Sequence, residues 1–396
     1  MAGSTDGAAD PATAPSPKSD APKSPAEPKS PQSPLKSPPK SPSNASESAA
    51  HTAGPTPGST LLPPEAWVDA EEDHREVDST LGDDAASSTA SLTASILEYR
   101  NYHGRTYHSN QGNAQYWGSN DERAAESMDI NHHMLTLAMG GKLFKAPLEE
   151  EKVKRALDIG TGTGIWAIDF ADTFTTTLVT GTDVSPIQPT WVPPNLDFEI
   201  DDATQPWTFH RDSVDYIHMR YLLGSIADWD ALYGEAYRAL APGGWLEHYE
   251  AAPYLESDDG SVTETSAMAQ WGKTFVEGGA VTGRSFTVVP DGTQEAGMKK
   301  AGFEEMGVWE FKCPIGGWPK DPKLREIGLY AKLALESDIE GYVLFITNVI
   351  SGWSREQVLV YIAHLRRELR NNSIHGYFKL RVVWGRKPEK AAPGGD

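Results

Sequence analysis

The stretch RALDIGTGTGIWAIDFA, residues 155–171, decides the expected fold of this chain. A short apolar run ends at Ile159, a glycine turn occupies residues 160–164, and the apolar residues from Ile165 onward recur at helical spacing. Glycines suit the turn because its backbone must bend sharply and let a ligand lie against it, with the N–H groups of the helix start pointing toward any anion. The stretch therefore predicts a strand, a ligand-binding turn and a helix.

The glycine spacing separates this turn from the dinucleotide-binding fingerprint. The pattern Gly-x-Gly-x-x-Gly would need its third glycine at position 165, whereas the chain has Gly160, Gly162 and Gly164. Asp158, just before the turn, would repel a pyrophosphate but suits a ligand that carries an ammonium and a sulfonium group. S-adenosylmethionine has both groups, and its carboxylate can accept hydrogen bonds from the helix start. On these residues alone, a tight turn of the kind found in any α/β protein is the alternative.

Acids also follow the next two predicted strands. The second strand ends in Asp183, 19 positions after Gly164, where a carboxylate can accept from both hydroxyls of a ribose. The third strand, residues 197–200, runs into Asp202 and Ala203. There an acid can accept from an adenine amino group, and the next backbone N–H can donate to the ring.

Strands and helices alternate along the rest of the chain. Further strands are predicted at 214–219, 245–250, 304–311 and 377–385, and helices at 230–240, 263–277, 324–350 and 354–369. Alternation at this pitch indicates an α/β fold with a mostly parallel sheet, whose ligands lie beyond the carboxyl ends of the strands. All the candidate ligand-binding residues fall at such ends.

Taken in order, the motifs LDIGTGTG, GTDVSP, FEIDDA and LAPGGWLEH resemble those of the class I S-adenosylmethionine-dependent methyltransferases. More narrowly, GIWAIDFAD, SPIQPTWVPPN and DYIHMRYLLGSIADW are similar to the fungal LaeA-like methyltransferases. That group includes the methyltransferase-like partner of velvet regulators and many paralogues connected with secondary metabolism. The resemblance is strong over residues 100–255, weaker to 388 and absent from the N-terminal tail.

The resemblance implies a Rossmann-like class I methyltransferase fold, in which a seven-stranded, mostly parallel sheet carries a helical cap and inserted helices. It also implies that the cofactor, S-adenosylmethionine, contacts six residues: Asp158, Gly160, Gly162, Asp183, Asp202 and Ala203. In this architecture residues 92–150 would cap the cofactor cleft, where Arg105 and Tyr107 could reach the methionine carboxylate. Tyr116 and Trp117 could cover the sulfonium, because aromatic faces attract cations.

Two histidines are the predicted catalytic residues. Methyl transfer is an in-line displacement, so alignment of the nucleophile matters most, and a base helps only where the acceptor must lose a proton. The fourth and fifth strand ends offer Arg220, Tyr221 and Glu247 together with His218 and His248. A histidine titrates near neutral pH, so His218 and His248 are predicted to serve a phenol, carboxyl or amine acceptor. A structural role for these strand histidines is the open alternative.

The N-terminal part of the chain differs in composition from the rest. Of the 29 prolines in 396 residues, 15 lie between Pro11 and Pro64, and residues 51–90 carry nine acids against one Arg. Residues 1–91 are therefore predicted to be a disordered tail, Ser/Pro/Lys-rich and then acidic, since it holds too few apolar residues to form a core. Its six Ser-Pro pairs predict phosphorylation, with a plain solvated linker as the alternative. The methyltransferase domain is predicted at 151–388, before a flexible terminus at 389–396.

Composition excludes several other functions. The single cysteine, Cys313, excludes a disulfide framework and a thiolate-rich zinc site, and no metal site is predicted. The formal net charge is −21, of which −13 falls after residue 90, so direct nucleic-acid binding is not expected. The longest apolar stretch, 342–350, falls short of the roughly 20 residues that cross a bilayer. A soluble protein of the cytoplasm, the nucleus or both is predicted.

The leading hypothesis is a methyltransferase of fungal secondary metabolism that modifies an undefined small-molecule or protein acceptor. The alternative is a nuclear LaeA-like regulator that acts through velvet-type protein partners, with protein methylation or with no essential catalysis. A third hypothesis is a protein that binds the cofactor without catalysing a reaction.

Overall fold

The computed structural model describes residues 61–67, 98–109 and 116–389. The Ser-Pro pairs, most of the predicted tail and the end of the chain after residue 389 lie outside these residues, so the predictions made for them concern parts that are not described.

The sheet confirms the predicted fold class. Its strands are β3 (Arg155–Ile159), β4 (Leu178–Asp183), β5 (Leu196–Ile200), β6 (Val214–Arg220), β7 (Leu240–Ala251), β8 (Glu304–Pro314) and β9 (Tyr377–Arg386), after a separate hairpin of β1 (Arg100–Tyr102) and β2 (Arg105–Tyr107). The strand order is β5-β4-β3-β6-β7-β9-β8. Strands β3 to β7 pair in parallel, and β9 runs antiparallel between β7 and β8. The result is a seven-stranded, mostly parallel sheet.

Helices cover both faces of this sheet. They are α1 (Glu122–Ala138), α2 (Ile165–Thr173), α3 (Trp229–Ala239), α4 (Ala267–Thr282), α5 (Thr293–Ala301), α6 (Pro322–Ser337), α7 (Ile339–Leu344) and α8 (Arg355–Leu369). Side chains alternate along β3 and β6, so Leu157 and Ile217 pack in one core and Ala156 and Tyr216 in another. Among the helices of the described residues, none combines the length and apolar character that a membrane crossing requires.

Two predicted element boundaries are corrected by the structure. Strand β7 begins at Leu240 and not at 245, because the predicted turn at 241–244 is taken into the strand as an irregularity in its pairing with β6. The long helix predicted over 324–350 breaks at Asp338, whose φ of −146° is not helical and whose carboxylate accepts from Gly341 N–H to start α7. A π-helical turn, Phe345–Ile350, then ends this segment.

The N-terminal part is less uniform than predicted. Residues 92–150 were expected to be a helical cap, yet β1 and β2 form an antiparallel hairpin ahead of α1. Residues 61–67 depart from the predicted disorder, since Pro64–Trp67 is a 3₁₀ helix whose Trp67 is 4% exposed. The Trp67 ring lies 5.4 Å from that of Tyr361 in α8. Burial of this large aromatic side chain holds the short segment against the core.

Candidate active site

A cavity lies beyond the carboxyl ends of β3 to β6 and beneath α1, α4, α6 and α7. Five of the six cofactor residues implied by the sequence line it: Gly160, Gly162, Asp183, Asp202 and Ala203. Tyr116 and Trp117 line it as well. The cavity therefore occupies the place where parallel α/β sheets bind ligands.

The glycine turn forms one wall of the cavity. Its three glycines adopt positive φ, 70° at Gly160, 58° at Gly162 and 81° at Gly164, a region that other L-residues seldom enter. A Cβ atom on Gly160 would lie 2.5 Å from Cδ2 of Leu222, so the turn also depends on the missing side chain. Gly160 is therefore required both for its positive φ and for the close approach of the Leu222 side chain.

Asp183 ends β4 and holds the turn in place. Gly162 N–H donates to its Oδ2 over 2.8 Å, and Ser185 N–H donates to its Oδ1 over 2.9 Å. Burial raises the pKa of Asp183 to about 6, against the opposing effect of these hydrogen bonds. At neutral pH the group is a carboxylate beside the cavity, with the acceptor capacity that a pair of ribose hydroxyls requires.

Asp202 presents an acceptor that lacks a partner among the described residues. Its Oδ1 accepts from the backbone N–H and the hydroxyl of Thr204, at 3.0 and 2.7 Å. Its Oδ2 is buried at the cavity without a hydrogen bond. A buried acceptor left unpaired is costly, so this atom fits an amino donor such as that of adenine. Gly162, Asp183 and Asp202 together fit the nucleoside part of S-adenosylmethionine.

Asp158 does not line the cavity, which corrects its predicted contact with the cofactor. The carboxylate is 3% exposed and lies behind the turn. Its Oδ2 accepts from the Thr161 hydroxyl over 2.6 Å, and its Oδ1 lies 2.7 Å from His218 Nδ1. Asp158 supports the turn from below.

His218 is a core residue, so its predicted catalytic role is not supported. The imidazole is 1% exposed and stacks on Trp166 with ring centroids 3.7 Å apart. Burial, the largest effect, lowers the pKa of His218 to about 4 although Asp158 opposes this shift. His218 lies two residues before the end of β6, too deep beneath α2 to reach the cavity.

His248 is also separated from the cavity. It is fully buried, with Nδ1 2.8 Å from the Tyr233 hydroxyl and Nε2 2.9 Å from Oε1 of Glu250. Its ring stacks on Trp229 of α3. Both ring nitrogens are thus engaged within the core, and both predicted catalytic histidines are corrected to structural ones.

The variant His218→Ala should lower the free energy of unfolding by about 2–4 kcal/mol, because it leaves a cavity against Trp166 and removes the hydrogen-bond partner of Oδ1 of the buried Asp158. Urea unfolding followed by circular dichroism measures this. The control is His210→Ala at an exposed position, expected to stay within about 0.5 kcal/mol of the parent. Equal stabilities of the two variants would contradict the structural role.

Arg105 and Tyr107 do not line the cavity either. The Arg105 guanidinium forms a buried ion-pair cluster with Asp121, at 2.6 Å, and Asp338, at 2.7 Å, which we call the Arg105 clasp. Tyr107 is fully buried and packs against the Phe345 ring. The predicted carboxylate contact is therefore corrected: Arg105 ties β2 to the starts of α1 and α7, and its charge is already balanced.

The other half of the cavity is aromatic, and the sequence did not predict it apart from Trp117. Of the aromatic side chains that line it, we call five the aromatic chamber: Trp117, Trp271, Phe275, Phe286 and Tyr342. The Trp117 ring lies 5.3 Å from Phe275 and 5.4 Å from Phe286, and the Trp271 ring lies 6.0 Å from Tyr342. These residues come from three distant segments, so no local pattern could bring them together.

The fold and site are those of a methyltransferase, and comparison with known proteins agrees. A family model described as a methyltransferase domain matches residues 130–305. The chain is 38% identical to methyltransferase pytC of Aspergillus terreus over 306 residues, which are 77% of this chain and 93% of that protein. It is 33% identical to the secondary metabolism regulator LAE1 of Cochliobolus heterostrophus, over 72% of this chain and 94% of that protein. It is 31% identical to the protein-methionine methyltransferase laeA of Emericella nidulans, over 74% and 77%.

The chain belongs to the LaeA-like family of fungal S-adenosylmethionine-dependent methyltransferases.

Proposed function

We propose that the protein transfers the methyl group of S-adenosylmethionine to a small, largely apolar acceptor of fungal secondary metabolism. The observation that carries this proposal is the continuity of one cavity from the nucleoside-binding residues into the aromatic chamber. The bound cofactor supplies an electrophilic methyl group. The residues of the chain hold the nucleoside at Asp183 and Asp202 and align the acceptor within the chamber.

The chamber suits a flat apolar molecule. Trp271, Phe275 and Phe286 are between 2% and 7% exposed and line the cavity, so they give this half of it an apolar wall. Stacking on its aromatic side chains fixes the orientation of a ring, and orientation is the main requirement of an in-line displacement. The apolar wall therefore supports a free, largely apolar small molecule as the acceptor.

No histidine, lysine or glutamate is among the described residues that line the cavity. Of the acidic groups present, Asp183, Asp201 and Asp202 belong to the nucleoside half, and the carboxylate of Asp338 is paired with Arg105. This composition supports an acceptor whose reacting atom does not depend on a strong protein base.

Isotope transfer tests the proposal. The purified protein would be incubated with S-adenosylmethionine carrying a trideuterated methyl group and with separate metabolite and protein fractions of the producing fungus. We expect the label in an apolar compound of the metabolite fraction. Label confined to the protein fraction would contradict a small-molecule acceptor.

The variant Phe275→Arg should reduce this label transfer by at least about 100-fold, because a guanidinium placed among the chamber rings is not solvated and displaces the acceptor. S-adenosylhomocysteine binding should be retained, since the nucleoside half is untouched. Val281→Arg, at a 69% exposed position of the same helix, is the matched control and should transfer the label normally. Unchanged transfer by Phe275→Arg would remove the chamber from the mechanism.

The second candidate is a regulator of secondary metabolism that acts in the nucleus or cytoplasm through velvet-type protein partners, with protein methylation or with no essential catalysis. It is supported by relatives named as secondary metabolism regulators over most of the chain. Complementation of a deletion strain distinguishes the candidates. A variant that cannot bind the cofactor but restores metabolite production would favour a role without catalysis.

A further inference from the structure

Arg220 is the last residue of β6 and lines the cavity on the side away from the adenine end. Met219 pairs with Ile159 of β3, so Arg220 lies alongside Gly160 at the start of the glycine turn. From β5 to β6 the strand ends present Asp202, Asp183, the turn and Arg220 in that order. Three strand spacings cover about 14 Å, the scale of an extended nucleoside with an amino-acid chain.

The Arg220 guanidinium lacks a charge partner. Among residues 61–67, 98–109 and 116–389, no carboxylate lies within ion-pair distance of it, whereas Arg105 has two. Asp158 and Asp169 act on Arg220 only at longer range, and desolvation, the largest effect, lowers its pKa from the usual value. Arg220 is half-buried, and its guanidinium has five donors, so its place in a ligand cavity without a charge partner calls for an anion.

One side of Arg220 is held by a histidine. Arg220 Nη1 lies 3.2 Å from His132 Nδ1, and His132 Nε2 lies 3.0 Å from Oδ2 of Asp169. Arginine can only donate, so Nδ1 accepts and Nε2 carries the proton that it donates to Asp169. This arrangement fixes both the tautomer of His132 and the direction of the guanidinium, and it leaves the other Arg220 donors for the cavity.

We propose that Arg220, positioned by His132 and Asp169, binds the carboxylate at the methionine end of the cofactor. Guanidinium and carboxylate match in shape and charge, and a bidentate pair would fix the cofactor at the end opposite Asp202. The sulfur would then lie between the two anchors, beside the glycine turn and at the entrance to the aromatic chamber. The proposal rests on the methyltransferase function of the same site.

Calorimetry with two ligands isolates this contact. S-adenosylhomocysteine carries the carboxylate, whereas 5′-methylthioadenosine has the same nucleoside and sulfur but lacks the amino-acid chain. Arg220→Gln should weaken S-adenosylhomocysteine binding about 10- to 100-fold and change 5′-methylthioadenosine binding less than about twofold. Arg220→Lys should fall between the parent and Arg220→Gln, because it keeps the charge without the fork.

The positioning role of His132 has its own pair of variants. His132→Asn keeps an acceptor near the place of Nδ1, whereas His132→Leu removes it. We expect His132→Asn to retain most of the S-adenosylhomocysteine affinity and His132→Leu to lose about 3- to 10-fold, with 5′-methylthioadenosine binding equal in both. Equal losses for both variants, or parallel losses for both ligands, would reduce His132 to a packing residue.

The outcomes separate the proposal from the function on which it rests. Failure of the parent protein to bind either ligand would refute cofactor binding itself. Unchanged S-adenosylhomocysteine binding by Arg220→Gln would overturn only the carboxylate contact and would leave cofactor binding by the rest of the site intact. Equal weakening of both ligands would also overturn it, because the variant would then act on the nucleoside half.

Discussion

Gly162→Arg should abolish S-adenosylmethionine binding, with an affinity loss of at least about 100-fold. Gly162 has a φ of 58°, which costs another L-residue about 1–2 kcal/mol, and its Cβ would lie 3.4 Å from Met128 Sδ inside the cavity lining. The long side chain would extend into the space of the nucleoside. Calorimetric titration with S-adenosylmethionine and S-adenosylhomocysteine measures the loss.

A matched substitution separates backbone strain from obstruction of the cavity. Gly260 also has positive φ, 75°, but it is exposed and no atom lies within 4 Å of its hypothetical Cβ. Gly260→Arg therefore carries similar strain and should bind S-adenosylhomocysteine as the parent does. If Gly162→Arg also bound normally, the cofactor site would have to lie elsewhere.

Asp183→Ala should weaken cofactor binding by about 100-fold or more. The substitution removes the acceptor proposed for the ribose hydroxyls, and it also frees Gly162 N–H and Ser185 N–H, which the carboxylate now holds. Charge-assisted hydrogen bonds of this kind are worth about 1.5–3 kcal/mol each. Calorimetry measures the affinity, and circular dichroism checks that the fold survives.

The pH dependence of binding gives a second measure of Asp183. Its pKa, raised by burial to about 6, means that the carboxylate form is lost as the pH falls below 6, so affinity should fall by up to about tenfold per pH unit there. In the ligand-free protein, the stability of the fold depends on pH in the opposite direction. Because the folded pKa lies above the unfolded one, the contribution of Asp183 to stability increases as the pH falls from about 6 toward 4. The variant Asp183→Asn should bind the cofactor weakly, and its affinity should not depend on pH in this way. If that variant kept the pH profile of the parent, the profile would belong to another titratable group.

The nucleoside half of the site was predictable because the carboxyl ends of parallel strands lie at the same edge of the sheet. Asp183 and Asp202 each follow a recognisable apolar run, so their convergence with the glycine turn follows from the strand pattern alone. The direction of each side chain did not follow. His218 and Arg220 lie two residues apart on β6, yet the core beneath α2 takes His218, and only Arg220, at the end of the strand, reaches the cavity.

The acceptor half and the Arg105 clasp depend on contacts between residues far apart in the chain. Arg105 donates hydrogen bonds to Asp338, which lies 233 positions away in the chain. Asp338 is also the residue at which the helix predicted over 324–350 breaks. A sequence pattern reports local periodicity, so it showed an arginine near the predicted cleft but not the carboxylates that balance its charge.

The Arg105 clasp also links the cavity to the hairpin of β1 and β2, which does not line the cavity. Asp338 belongs to the cavity wall and, through Arg105, to the hairpin of β1 and β2. A ligand that binds more tightly when Asp338 is paired with Arg105 raises the local opening free energy of that hairpin by the difference in its binding free energy, and by reciprocity an opened hairpin weakens ligand binding. Slowed amide hydrogen exchange over residues 100–107 would therefore report how fully the cavity is occupied.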